Sequence, residues 1–140
     1  YKRQEYTKRN GFEIQNKMQN SDYLVDRLYH FYYYGYINIA ILTSIGEYFN
    51  PASVVSYQKK RWLESNFPQL VKFPFITTSS GKSKSNMAHH WACLIDDVES
   101  NCISFREANG RSYYYDNPDN VEDCINFIEE IFTKKIGFVG

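Results

Sequence analysis

Apolar residues recur at helical spacing in some stretches of this chain and alternate with polar ones in others, and the two patterns fall in different regions. Leu24, Val25, Leu28 and Phe31 or Tyr32 predict a helix over about 22–33, with Ser21 placed to cap it. The run Tyr32-Tyr33-Tyr34-Gly35-Tyr36 closes that helix at glycine. Ile37, Ile39, Ala40, Ile41, Leu42 and Ile45 are apolar on several sides, so 37–49 reads as a central buried helix. A strand over 36–42 is the competing reading. Asn50-Pro51 starts a third helix over 52–65, because asparagine caps and proline is tolerated at the first position. Val54, Val55, Trp62 and Leu63 are its apolar positions, Lys59, Lys60 and Arg61 its outer face, and Pro68 ends it.

From there the period shortens. Leu70 to Thr77, with Val71, Phe73 and Phe75, reads as a strand that Pro74 confines to an edge. Residues 77–86 form a polar, serine-rich loop between the helical and β-rich halves, and 1–20 a poorly ordered start or short helix held only by Phe12, Ile14 and Met18. His89 to Ile95 reads as a central strand, apolar on both faces. Asn109-Gly110 suits a type I′ hairpin turn, which needs positive φ at both central residues. Ala108 would then face Arg111, Arg106 would face Tyr113, Phe105 would face Tyr114, and Ser104 would face Tyr115. Val121, Cys124, Ile125, Ile128, Ile131 and Phe132 make a helical stripe after Asp119, with Lys134 and Lys135 near its end and Gly137 as a stop. The fold class expected is α+β, in one domain spanning 1–140. A helical N-terminal half packs on a 3–4-stranded antiparallel meander with a C-terminal helix.

Composition changes this picture only in part. Aromatic residues make up 18% of the 140, thirteen of them tyrosines, which suit half-buried cores and interfaces alike. Net charge is zero, yet residues 1–88 carry twelve Lys/Arg against six Asp/Glu, and residues 89–140 carry four against ten. Either that is a solvated surface of uneven sign, or it is an acidic face that meets a basic partner. Cys93, Cys102 and Cys124 are odd in number and lack CxxC spacing, which argues for free buried thiols in a reducing cytoplasm over a disulfide framework. No signal peptide is visible, though the chain opens at Tyr1 without Met, and the longest apolar run, 36–45, is too short to span a bilayer.

Several motifs fall away on spacing. Ser80-Gly81-Lys82-Ser83 lacks the glycine a phosphate loop needs five positions before Gly81, where Ile76 stands, and it leads into a strand. His89 and His90 point to opposite faces of a strand, as do His90 and Cys93, so no metal or cofactor is expected. His90-Trp91 invites a cysteine-protease reading, but no cysteine precedes the histidines. A metal-dependent nuclease using Asp96, Asp97 and Glu107 is the alternative function, although Glu107-Ala108-Asn109 lacks the usual lysine. Nucleic-acid binding through Lys59, Lys60, Arg61, Lys82 and Lys84 is weakened by the zero net charge.

The acidic string is the feature with most weight. Asp96, Asp97, Glu99, Glu107, Asp116, Asp119, Glu122 and Asp123, with Arg106, Tyr113 and Tyr115 as anchors, form the expected partner-binding surface. The order of helices, then Phe73-Pro74-Phe75, a meander around Trp91 and a closing helix resembles the small bacterial immunity proteins of contact-dependent and polymorphic toxins. The resemblance covers the layout of about 66–133 and carries over no residue. It implies a cytoplasmic, non-enzymatic inhibitor of a basic, nuclease-type toxin, with no direct contact to nucleic acid or membrane.

Overall fold

The computed structural model describes residues 19–46 and 52–139. In chain order the elements are α1 (Ser21–Tyr33), β1 (Ile41–Ser44), α2 (Ala52–Asn66), β2 (Phe75–Thr78), β3 (Cys93–Asp96), α3 (Glu99–Glu107), β4 (Arg111–Tyr114) and α4 (Val121–Val139). Short 3-10 turns lie at Pro68–Leu70, Lys82–Met87 and Pro118–Asn120. The chain divides into two compact units: Tyr1–Lys17 with Ala40–Ser83, and Met18–Ile39 with Lys84–Gly140.

Each unit is built on a strand–helix–strand segment whose strands pair in parallel. The expected antiparallel meander is therefore overturned: among the described residues the strands form two separate two-stranded parallel sheets. The physical reason lies at Asn109. Its positive φ of 70° is used to end a helix, not to turn a hairpin. Gly110 N–H donates to Phe105 O at 3.0 Å and Asn109 N–H to Arg106 O at 3.0 Å, the paired bonds of a Schellman helix end. Gly110 is needed there, since a Cβ would stand 2.4 Å from the Phe105 ring. Upstream, Cys102 and Phe105 are 0% and 3% exposed while Ile103 between them is 42% exposed, a helical spacing that overrides the apparent alternation.

In the first unit, Ile41 pairs with Phe75 and Ser44 with Thr78. The helix expected over 37–49 is a strand at 41–44. Ile41 and Thr43 are β-branched, which favours a strand, and all four strand residues are half-buried, so no alternation of burial marks it. Gly46 passes so close to the main chain that a Cβ would lie 1.9 Å from Ser79 O. Pro74 sits just before β2, its carbonyl accepting from Ile41 N–H at 2.8 Å. Leu70, expected in that strand, lies in the 3-10 turn instead. Val55, Leu63, Phe67, Leu70 and Phe73 are buried. The Asn50-Pro51 helix start and the reading of 1–18 fall outside the described residues.

In the second unit, α1 and α4 run in the same direction, because Tyr23 meets Glu122 near their starts and Phe31 meets Phe132 further along. Leu24, Phe31, Tyr115, Val121, Cys124, Ile125, Ile128 and Phe132 form one buried cluster, with Leu28, Ile37, Cys93, Ile95, Tyr113 and Phe127 packed on it. The expected stripe on α4 is thus the core face, although the helix continues past Gly137 to Val139. Asn20, not Ser21, is the N-cap of α1. It is left-handed at φ 67°, and its side-chain amide donates to Pro118 O at 2.8 Å. β3 begins only at Cys93, since Ala92 N–H turns back onto His89 O.

Candidate protein-binding edge

Parallel pairing decides where the acidic residues go. With Asp96 opposite Tyr114, β3 and β4 end at the same edge of the sheet. The chain leaves that edge through Asp97 into the start of α3 and through Asp116 into the start of α4. Loops at the carboxyl ends of parallel strands are where α/β folds gather functional side chains. Asp97, Glu99, Asp116, Asp119, Glu122 and Asp123 are all exposed. Three of them occupy first helical turns, Glu99 in α3 and Glu122 and Asp123 in α4, where the helix dipole favours a carboxylate.

Tyrosines stand among these acids. Tyr113 hydroxyl donates to Asp123 Oδ2 at 2.6 Å, and Tyr23 hydroxyl donates to Glu122 Oε2 at 2.6 Å. Desolvation first, then the Asp123 hydrogen bond and charge, pushes the Tyr113 phenol well above its usual range. Tyr114 is exposed at the end of β4. Desolvation and then the charges of Asp116, Glu99 and Asp97 raise its pKa. Arg27 lies beside Tyr23, its Nη1 at 3.5 Å from that hydroxyl, with its guanidinium over Phe31.

Two residues expected on this surface are buried instead. Asp96 is the hub of the β3–α3 turn: its Oδ2 accepts from Lys84 Nζ at 2.8 Å and Asn101 Nδ2 at 3.2 Å, its Oδ1 from Val98 N–H at 2.9 Å. The Asp96 side chain is 5% exposed and that of Lys84 12%. Burial alone would raise the carboxyl pKa. The Lys84 ammonium, the Val98 N–H and the Asn101 amide outweigh it and hold the group below its ordinary value. Tyr115 is 6% exposed and belongs to the core cluster, its hydroxyl without a partner among the described residues.

Arg106 and Glu107 are exposed, but they lie at the other end of α3. Eight residues of helix separate Glu107 from Glu99, a rise of about 12 Å. Arg106 Nη1 donates to Ser112 Oγ at 2.7 Å, and Ser112 Oγ to Cys102 O at 2.8 Å, which clips α3 to β4. The structure therefore does not bring Glu107 to Asp96 and Asp97, the set a nuclease would need. Among the described residues no group of three or more His, Cys, Asp or Glu is arranged to hold a metal.

The cysteines are free, Cys102 and Cys124 buried and Cys93 half-buried. Desolvation, then the neighbouring thiols, pushes Cys93 up to about 12, and desolvation, then Asp123, pushes Cys124 up to about 12. His90 packs edge-on against Trp91, and the Arg111 guanidinium lies 5.1 Å over that indole. Sequence reasoning missed Lys84 as the partner of Asp96, because twelve residues separate them and its serine-rich surroundings read as a mobile loop. It also gave Tyr23 and Tyr114 no part in the surface, since Tyr23 arrives through its bond to Glu122 on α4 and the place of Tyr114 depends on parallel pairing. Comparison with protein-family models, with curated proteins and with solved structures gave no match. Among the described residues, no helix is long and apolar enough to cross a membrane.

Proposed function

We propose that this chain is a non-enzymatic protein-binding module that docks a basic partner on the acidic, tyrosine-bearing edge of its second unit. The observation that carries the reading is the parallel register of β3 and β4, which brings their carboxyl ends to one edge, where exposed Asp97, Glu99 and Asp116 follow the strands and exposed Tyr114 ends β4. Asp119, Glu122 and Asp123 extend the same edge. Carboxylates arranged in this way steer and orient a cationic surface, and tyrosine offers contact area with few rotatable bonds. The second unit as a whole carries six Lys/Arg against twelve Asp/Glu, which suits such a partner and repels nucleic acid. An immunity protein covering a basic nuclease-type toxin in the cytoplasm fits this chemistry.

The test is recovery of partners from lysate of the protein's own host, at low and then moderate salt, by wild type and by the Asp116→Lys, Asp119→Lys variant. One stoichiometric basic protein held by wild type and lost by the variant is the expected result. Nucleic acid without a protein partner, or equal retention by both, would refute the reading.

A further inference from the structure

Arg111 opens β4 beside the start of β3, where it pairs with Cys93. This is the end of the sheet opposite the acidic edge. The guanidinium is held there by two neighbours in sequence. Nε donates to His90 O at 3.0 Å, Nη2 lies 3.4 Å from His90 Nε2, and the guanidinium carbon stands 5.1 Å over the Trp91 indole. His90 packs on the same indole, with ring centroids 4.6 Å apart. None of these contacts carries a negative charge, and Arg111 makes no ion pair among the described residues.

The hydrogen-bond chemistry of this rim is one-sided. Arginine can only donate, so His90 Nε2 accepts from Nη2 and the imidazole proton sits on Nδ1. His89 Nδ1 accepts from the Trp91 main-chain N–H at 3.2 Å, which leaves the His89 proton on Nε2. His90 engages the Nε–Nη2 edge of the guanidinium. The outer edge, with both hydrogens of Nη1, meets no protein acceptor among the described residues. Every side-chain group left over is therefore a donor. His89 and His90 are exposed and Arg111 is half-exposed, so a solute can reach them.

We propose that this rim binds a phosphate group, two of whose oxygens accept from the outer edge of Arg111, with the imidazole N–H groups of His89 and His90 as further donors. A guanidinium fork already held in place suits bidentate recognition of an oxyanion and loses little side-chain freedom on binding. A phosphate ester carries roughly two negative charges on three acceptor oxygens, so it uses a donor-only rim more fully than a carboxylate does. This site is independent of the acidic edge and stands or falls separately.

The chain has two tryptophans, so the full-length protein gives two indole N–H signals in a nitrogen–proton correlation spectrum, and Trp62→Phe assigns them. Inorganic phosphate at constant ionic strength is expected to move the Trp91 signal saturably, with a midpoint of about 1 mM or below, and to leave Trp62 still. Chloride should give no such shift, and acetate should bind about tenfold more weakly. Arg111→Gln should abolish the response. Arg111→Lys, which keeps the charge and loses the fork, should weaken it about tenfold, and the Trp62 signal shows that each variant is folded. Arg106→Gln removes an equal charge from the side of the sheet that faces α3 and should bind as wild type does, a comparison that stands even if Arg111→Gln fails to fold. Tighter binding of phenyl phosphate would make an aromatic ester the ligand, and equal binding the phosphate group alone. A Trp91 signal that does not saturate, that follows chloride or acetate equally, or that responds unchanged in Arg111→Gln would overturn the proposal, as would loss of binding in Arg106→Gln.

Discussion

In the first unit the helix between the paired strands sends a lysine, Lys59, onto the end of β1; in the second, β3 itself ends on an aspartate, Asp96. The surroundings of the two charges differ. Lys59 borders an open space of about 270 Å³. Asp96 is enclosed by Lys84, Asn101 and the Val98 N–H. Bulk charge differs in the same sense, with ten Lys/Arg against four Asp/Glu in the first unit and six against twelve in the second. One strand–helix–strand order thus supports either a tightly closed polar turn or a hollow beside a charge. A filled turn stabilises the fold, and a hollow leaves contacts unmade.

The largest effect expected from disturbing this contrast is at the closed turn. Asp96→Ala leaves Lys84 buried without its carboxylate and should cost about 3–5 kcal/mol in denaturant unfolding. A matched pair of truncations compares the packing directly. Leu24→Ala in the second unit's core should cost about 3–4 kcal/mol, whereas Leu63→Ala, beside the existing space, should cost about 2–3. Equal losses would remove the distinction between a filled and a hollow layer.

The pH dependence follows from the Asp96 shift. An unfolded aspartate titrates near ~3.9, and the folded value is lower. Its contribution is therefore complete above about pH 4 and is lost as pH falls through the folded value. Wild type should lose stability on acidification more steeply than Asp96→Asn, as read from unfolding midpoints between neutral pH and pH 3. A smaller effect is expected at the helix end. Asn109→Ala forces a Cβ-bearing residue without a compensating side-chain amide into the left-handed region and should cost about 1 kcal/mol. Least of all, Asp119→Lys on the exposed edge should change stability by under about 0.5 kcal/mol while acting on partner binding.

Three of the four helices were legible in the sequence, and α3, only nine residues long, was not. α1 and α2 lie within a residue of the spacing-derived ranges, and the stripe from Val121 to Phe132 is the core face of α4. β2, β3 and β4 overlap stretches that read as strands, but β1 and the direction of pairing were not legible, for two reasons. Asn109-Gly110 supplies positive φ, and that conformation serves a helix end as well as a hairpin. Ile41 to Ser44 is half-buried at all four positions, so it shows no alternation that would set it apart from a helix. The acidic residues were visible as a list, but their meeting place depends on strand direction. The helix α3 carries Glu107 away from Asp97, and parallel pairing brings the strand ends that lead to Glu99 and to Asp116 to one edge. Asp96 is the clearest lesson: an acid in a polar stretch reads as exposed until Lys84, twelve residues earlier, is seen to fold over it.

The binding role of the acidic edge is tested most directly by native mass spectrometry of the tagged protein purified from its own host at low salt, beside the Asp116→Lys, Asp119→Lys variant. A one-to-one complex with a basic protein, present for wild type and absent for the variant, is the result expected. Wild-type protein that arrives alone, or with nucleic acid in place of a protein, would contradict it.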